Sequence, residues 1–168
     1  MSDNIYLIGF MGSGKSTVAS SLSQMCSRRR IEMDQAIEDR QQMSISHIFD
    51  QYGEEYFRSL ESSLLESLSG EKDLIVSCGG GCVLRPSNVA LMKSSGRIIL
   101  LTAAPETIFK RVRHSSRRPI LNGHMDPGYI EELMNKRQPA YEAAADLIIK
   151  TDGKKPKAIA REILDLIQ

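Results

Sequence analysis

Ile5-Tyr6-Leu7-Ile8-Gly9-Phe10-Met11-Gly12-Ser13-Gly14-Lys15-Ser16 sets four apolar residues directly ahead of a glycine-rich turn ending in Lys-Ser. The apolar run reads as a buried strand. Residues 15 to about 27 read as a helix, with Val18, Leu22, Met25 and Cys26 at helical spacing. Between them, Gly9 to Ser16 fits the pattern G-x-x-x-x-G-K-[ST] in the strand-to-helix setting the pattern requires. Glycines let a backbone wrap closely and turn its N–H groups inward. The helix N-terminus adds positive potential at the same place. Gly12, Ser13, Gly14 and Lys15 are therefore expected to cradle the phosphates of ATP or GTP, with Ser16 placed to ligate Mg²⁺. The plainer alternative is a glycine-rich turn with an exposed lysine.

Working outward, short apolar runs alternate with amphipathic stretches. Further strands are expected at 31–33, 74–77, 98–101 and 147–149. Helices are expected over 53–68 and 86–93, from Pro105, from an Asp126 cap into the 140s, and from Pro156 to the end. Pro139 is expected to bend or interrupt the fourth of these. Continuous apolar strands separated by helices imply an α/β fold, a parallel sheet covered on both faces. Ligands of such sheets sit beyond the carboxyl ends of the strands, here 9–16, 32–34, 77–82 and 102–104. The stretch 114–125 is rich in Arg, Ser, Pro and Gly, and reads as either a mobile lid or a surface loop.

The 168 residues suffice for one domain, 1–168, with a real core; 41% are apolar and 26% charged. A net charge of +1 supplies no global reason to expect nucleic acid or a membrane surface as partner. The three cysteines, Cys26, Cys78 and Cys82, are an odd number without a framework spacing, against a secreted disulfide protein and without the second pair that a zinc site needs. The N-terminus lacks a basic region leading into an apolar run, so a cytoplasmic protein is expected. No long apolar surface helix suggests an obligate dimer, so a monomer is expected.

On the side facing the phosphates, several residues have two readings each. Asp34 follows the second strand and can orient or accept the proton of an attacking hydroxyl, or cap the helix 35–41. Arg58 borders the apolar stripe Phe57/Leu60/Leu64, and Glu61 is one turn on. The two form either a plain ion pair or one in which Glu61 steers the guanidinium toward a substrate carboxylate. Arg137 shares a helical face with Ile130, Leu133, Met134 and Tyr141, where an unpaired ion is costly, so an internal ion pair is its alternative. Gly79-Gly80-Gly81 suits close backbone approach to a ligand, or a tight turn. Arg117 and Arg118 can close over a transferring phosphoryl group, or be plain surface.

These segments together resemble the shikimate kinase family over nearly the whole chain. They run in order: LIGFMGSGKST at 7–17, Glu32-x-Asp34, SISHIF at 44–49, GEEYFRSLE at 53–61, SCGGG at 77–81, RRPIL at 117–121 and KRQPAYEAAAD at 136–146. The resemblance implies a three-layer P-loop fold with five parallel strands in the order 2-3-1-4-5, a substrate-holding segment at about 34–61 and a lid at 114–125. It implies transfer of the γ-phosphoryl group of ATP to shikimate, giving shikimate 3-phosphate, in aromatic amino-acid biosynthesis. It implies that Asp34 handles the ring hydroxyls, Arg58 and Arg137 grip the carboxylate, and Gly80 contacts a hydroxyl. Thr17 would join the phosphate loop, Arg118 would come in with the lid, and Arg111 and Pro156 would face the adenine. Glu32 stands where the family usually has Asp, which helps hold Mg²⁺ through water; the charge survives with a longer reach. Gluconate-type kinases of the same fold are the nearest alternative within enzymes. A non-catalytic ATP sensor is the alternative outside them, set against the presence of both Lys15 and Asp34. No N-K-x-D guanine-reading motif occurs.

Overall fold

The computed structural model describes residues 3–113 and 126–168. β1 (Asn4–Ile8) is buried along its whole length, as a strand with neighbours on both edges and helices on both faces must be. Its side chains alternate with the pleat: Ile5 and Leu7 enter one core, Tyr6 and Ile8 the other. The glycine-rich turn leads into α1 (Lys15–Cys26). β2 (Arg29–Glu32), α2 (Met33–Gln41), α3 (Ile45–Tyr52) and α4 (Glu54–Ser69) lead to β3 (Leu74–Ser77). A 3-10 turn (Cys82–Leu84) and α5 (Pro86–Ser95) precede β4 (Gly96–Thr102). Then come α6 (Pro105–Val112), α7 (Pro127–Ala144), β5 (Leu147–Lys150) and α8 (Pro156–Ile167). The five strands pair in parallel in the order β2-β3-β1-β4-β5, the implied order.

One face of the sheet is closed by α1 and α8, whose Val18, Leu22, Ile159 and Ile163 pack on Ile5, Leu7, Ile75 and Ile99. On the other face Ile37, Ile48, Leu64, Met92, Ile108 and Ile130, from α2 through α7, pack on Tyr6, Ile8, Val76 and Leu100. The three inner strands β1, β3 and β4 thus feed both cores, which is why their sequences are nearly continuously apolar. Among the described residues no helix is long and apolar enough to cross a membrane.

Three expectations change. The second strand is Arg29–Glu32 rather than 31–33. It lies at the sheet edge, where basic side chains can stay in solvent; Arg28 pairs with Asp73 and Arg29 with Glu71. Met33 is instead the first residue of α2 and fully buried. α3 is a separate helix, capped by the Ser44 hydroxyl, which accepts from the His47 N–H. α7 runs on through Pro139, so Arg137 and Tyr141 keep one face. The lid stretch 114–125, with Arg117 and Arg118, lies outside the described residues.

The register places the site. Leu7 of β1 stands opposite Ser77 of β3, and Cys78 N–H donates to the Leu7 carbonyl at 3.0 Å. The two glycine-rich segments that follow these strands therefore emerge side by side. A methyl group on Gly80 would lie 3.7 Å from Met11 N and 3.8 Å from Gly9 O.

Candidate active site

A cleft of about 1000 Å³ runs over the carboxyl ends of the strands. At one end stands the phosphate loop. Gly12 and Gly14 hold φ of 80° and 99°, conformations that favour glycine. Gly12 also lies so close to α6 that a methyl group there would come within 2.7 Å of Val112 Cγ1. Lys15 Nζ donates to the carbonyls of Gly9 (2.7 Å) and Phe10 (3.1 Å), which holds the ammonium at the mouth of the loop. The Thr17 hydroxyl donates to Gly14 O, closing the first turn of α1. Arg111, from α6, donates to Gly12 O at 2.9 Å. Arg111 and Pro156 both line the cleft.

Thr151 and Lys154 line it too, and the sequence reading missed both. They follow β5, whose carboxyl end belongs to the same rim as the four strand ends considered. The rule that ligands gather at those ends would have found them. Their loop is tied down by Asp152, whose carboxylate accepts from the Thr107 hydroxyl (2.7 Å) and the Ala104 N–H (3.0 Å). Those two bonds hold the Asp152 pKa below its ordinary value.

Ser16 and Glu32 meet in the cleft, the Ser16 hydroxyl donating to Glu32 Oε2 at 2.8 Å. The other oxygen, Oε1, is buried without a hydrogen-bond partner among the described residues, 3.8 Å from Arg30 Nη1. Hydroxyl and carboxylate oxygens at the mouth of a phosphate loop are the donor chemistry a hard divalent cation takes, so the pair fits Mg²⁺.

Behind the cleft wall at Asp34 and Gly80, buried ions pack against the glycines 79–81. Arg58 and Glu61, on α4, are 7% and 0% exposed. Arg58 Nη1 donates to Glu61 Oε1 at 2.7 Å and Nη2 to Glu54 Oε1 at 3.0 Å. Burial pulls the Arg58 pKa down, but the charges and hydrogen bonds of Glu61 and Glu54 outweigh it, and the net direction is up. For Glu61, burial dominates and raises the pKa against the pull of Arg58, with the Asp34 charge adding to the rise. Arg137, on α7, is 4% exposed, lies 5.8 Å from the centre of the Phe10 ring and makes no ion pair among the described residues. Its Nη1 has no hydrogen-bond partner there, while its charge is felt by Glu61. A buried cation so placed calls for an anion.

The three glycines at 79–81 are matched one by one to these charges. A methyl group at Gly79 would overlap Glu61 Oε2 and come within 3.3 Å of Asp34 Oδ1. At Gly80 it would lie 3.4 Å from Arg137 Nη1. At Gly81 it would sit 2.5 Å from three atoms of the Arg58 guanidinium. The Gly80 carbonyl accepts from the Tyr141 hydroxyl at 2.5 Å. Burial raises the Tyr141 pKa, keeping the phenol a donor. Asp34 stands in the first turn of α2 and lines the cleft. The N-cap of α2 is Glu32, so Asp34 is not the cap.

Shikimate kinase is the family whose model matches residues 11–168. The chain belongs to the shikimate kinase family. It is 43% identical to the shikimate kinase of Persephonella marina over 165 residues, covering 98% of this chain and 99% of that one. A solved structure, the shikimate kinase of Acinetobacter baumannii in complex with shikimate, superposes with a TM-score of 0.96 at 31% identity, covering 99% of this chain and 93% of that one. A gluconokinase from Sinorhizobium meliloti shares the fold alone, with a TM-score of 0.61 at 19% identity over 97% of this chain and 90% of that one.

Proposed function

We propose that the protein transfers the γ-phosphoryl group of ATP to a ring hydroxyl of shikimate, giving ADP and shikimate 3-phosphate. The observation that carries this reading is the convergence of Arg58, Arg137 and Asp34 on Gly79 to Gly81, directly beside the phosphate loop. Two guanidinium groups suit one carboxylate, and a neighbouring aspartate suits the hydroxyls of a small polyol acid.

On this reading Gly12, Ser13, Gly14, Ser16 and Thr17 hold the triphosphate through the loop and the helix N-terminus. Lys15 neutralises charge that develops on the β- and γ-phosphates, while Arg111 and Pro156 flank the base. Asp34 orients the attacking hydroxyl and takes its proton. The hydroxyl oxygen bonds to the γ-phosphorus, the bond to the β–γ bridging oxygen breaks, and ADP leaves. Arg58 and Arg137 fix the acceptor's carboxylate, and the Gly80 backbone meets a hydroxyl. Ser16, and Glu32 through water, would hold Mg²⁺, which supplies charge neutralisation on the phosphates when bound. Phosphoryl transfer asks little covalent work of a protein, so positioning dominates.

A gluconate-type acceptor also carries a carboxylate and hydroxyls. A coupled ADP-release assay comparing shikimate, gluconate and nucleoside monophosphates separates the readings. Turnover is expected with shikimate; faster turnover with gluconate would replace it as the acceptor.

A further inference from the structure

Arg58 is held twice, and the two holds differ. Glu61 is fully buried, while the Glu54 side chain is 56% exposed. Among the described residues, Asp34, Glu61, Arg58 and Arg137 lie against the three glycines, and Glu54 holds Arg58 from its other side. An acceptor bringing its own carboxylate to Arg58 meets two carboxylates already on that guanidinium, and crowded carboxylates repel in a low-dielectric site. Glu61 is locked between Arg58 and the backbone of Gly79. Asp34 lies against Gly79 from the α2 side. Glu54 is the first residue of α4, at the solvent edge, and can turn into water at small cost because exposed pairs are weak. Its departure frees Arg58 Nη2. Arg137 Nη1, buried and without a hydrogen-bond partner among the described residues, lies at Gly80, the glycine next to the one on which Arg58 lies.

We infer that Glu54 is a built-in competitor of the acceptor: its carboxylate occupies Arg58 Nη2 and is displaced by the carboxylate of the incoming acid. This rests on the reading of Arg58 as an acceptor-binding residue. Glu54 keeps the buried cation compensated whenever the acceptor site turns over, at the expense of acceptor affinity. The effect is specific to a charged acceptor, because a ligand without a carboxylate gains nothing from a released Arg58.

The test uses the full chain with Glu54→Gln and Glu54→Ala. The first turn of α4 keeps its second tie, Glu55 to Arg85, and Arg85 also donates to Ser62. Thermal melting checks that both variants fold. The KM for shikimate is expected to fall about threefold, the size of a weak, partly exposed ion pair, with the KM for ATP unmoved. Binding of shikimate methyl ester, measured by calorimetry, should not tighten. A rise in the KM for shikimate in both variants would overturn the inference, since it would make Glu54 a support that orients Arg58. Unchanged affinity, with uptake of a proton on acid binding in buffers of different ionisation heat, would also overturn it, because Glu61 would then be the group that yields. Wild-type protein that releases no ADP with shikimate would instead strike at the underlying function, so the two failures are told apart.

Discussion

On the proposed function, the two halves of the site hold anions in opposite ways. At the nucleotide end the work falls to backbone N–H groups, a helix N-terminus and the partly buried Lys15, whose ammonium rests on two carbonyls of its own loop. At the acceptor end it falls to full charges sunk in the core, with Glu61 at 0% and Arg137 at 4% exposure. A phosphate loop can therefore lose a side chain and keep its shape. The acceptor end cannot, because buried Arg58 and Glu61 are each other's counter-charge. Catalysis and stability are separable at the first end and joined at the second.

Lys15→Ala is the harshest way to break the nucleotide end. The turnover rate is expected to fall about a thousandfold, the scale of a lost transition-state charge contact. Folding stability should drop far less than the rate, since the bonds that Lys15 makes to the Gly9 and Phe10 carbonyls stay within its own loop. Steady-state kinetics and urea unfolding together check it; a large stability loss would erase the contrast between the ends. Arg58→Ala should do both kinds of damage. Acceptor kcat/KM is expected to fall about a hundredfold, by analogy with truncating a buried charged partner in an interface. Stability should fall by about 3 kcal/mol because Glu61 is left buried and uncompensated. Adding Glu61→Gln should restore the stability and not the affinity, and a double variant as unstable as the single one would show that Glu61 is not the source.

A milder change sharpens the metal side. Glu32→Asp shortens the carboxylate by one methylene and should shift the Mg²⁺ concentration for half-maximal rate about threefold, about half the energy of a tenfold change. An unchanged magnesium titration would leave Glu32 as a partner of Ser16 and Arg30 only.

The smallest effects come from protons. Glu61 has a folded pKa above its ordinary value of 4.5, so its favourable contribution is complete below that value and is lost as pH rises through the raised one. Asp152 has the opposite sign: its contribution is present above its ordinary value of 3.8 and is lost as pH falls through the lowered one. Unfolding free energies of Glu61→Gln and Asp152→Asn, measured against pH relative to wild type, should therefore slope in opposite directions. Parallel slopes would contradict one of the two assignments.

What the sequence by itself determined is local. Gly9 to Ser16 specifies strand, turn and helix in consecutive residues, so the phosphate loop is legible without any knowledge of the rest of the chain. The apolar runs announce a parallel sheet, and helix starts at Pro86, Pro105 and Pro156 could be read from proline alone. The resemblance to a family brought Asp34, Arg58, Gly80 and Arg137 together on paper. It did not show that Glu54 shares Arg58 with Glu61, that Thr151 and Lys154 complete the nucleotide end, or that each glycine of 79–81 answers one charged neighbour. Glu54, Arg58 and Glu61 are local neighbours on α4, but the contacts at the glycines and at the phosphate loop join α2, α4, α6, α7 and the turns after β1, β3 and β5, far apart along the chain. Only the tertiary structure decided them, because a charge–charge contact depends on distance and burial. Both are set here by β3 lying beside β1 with helices folded over their ends.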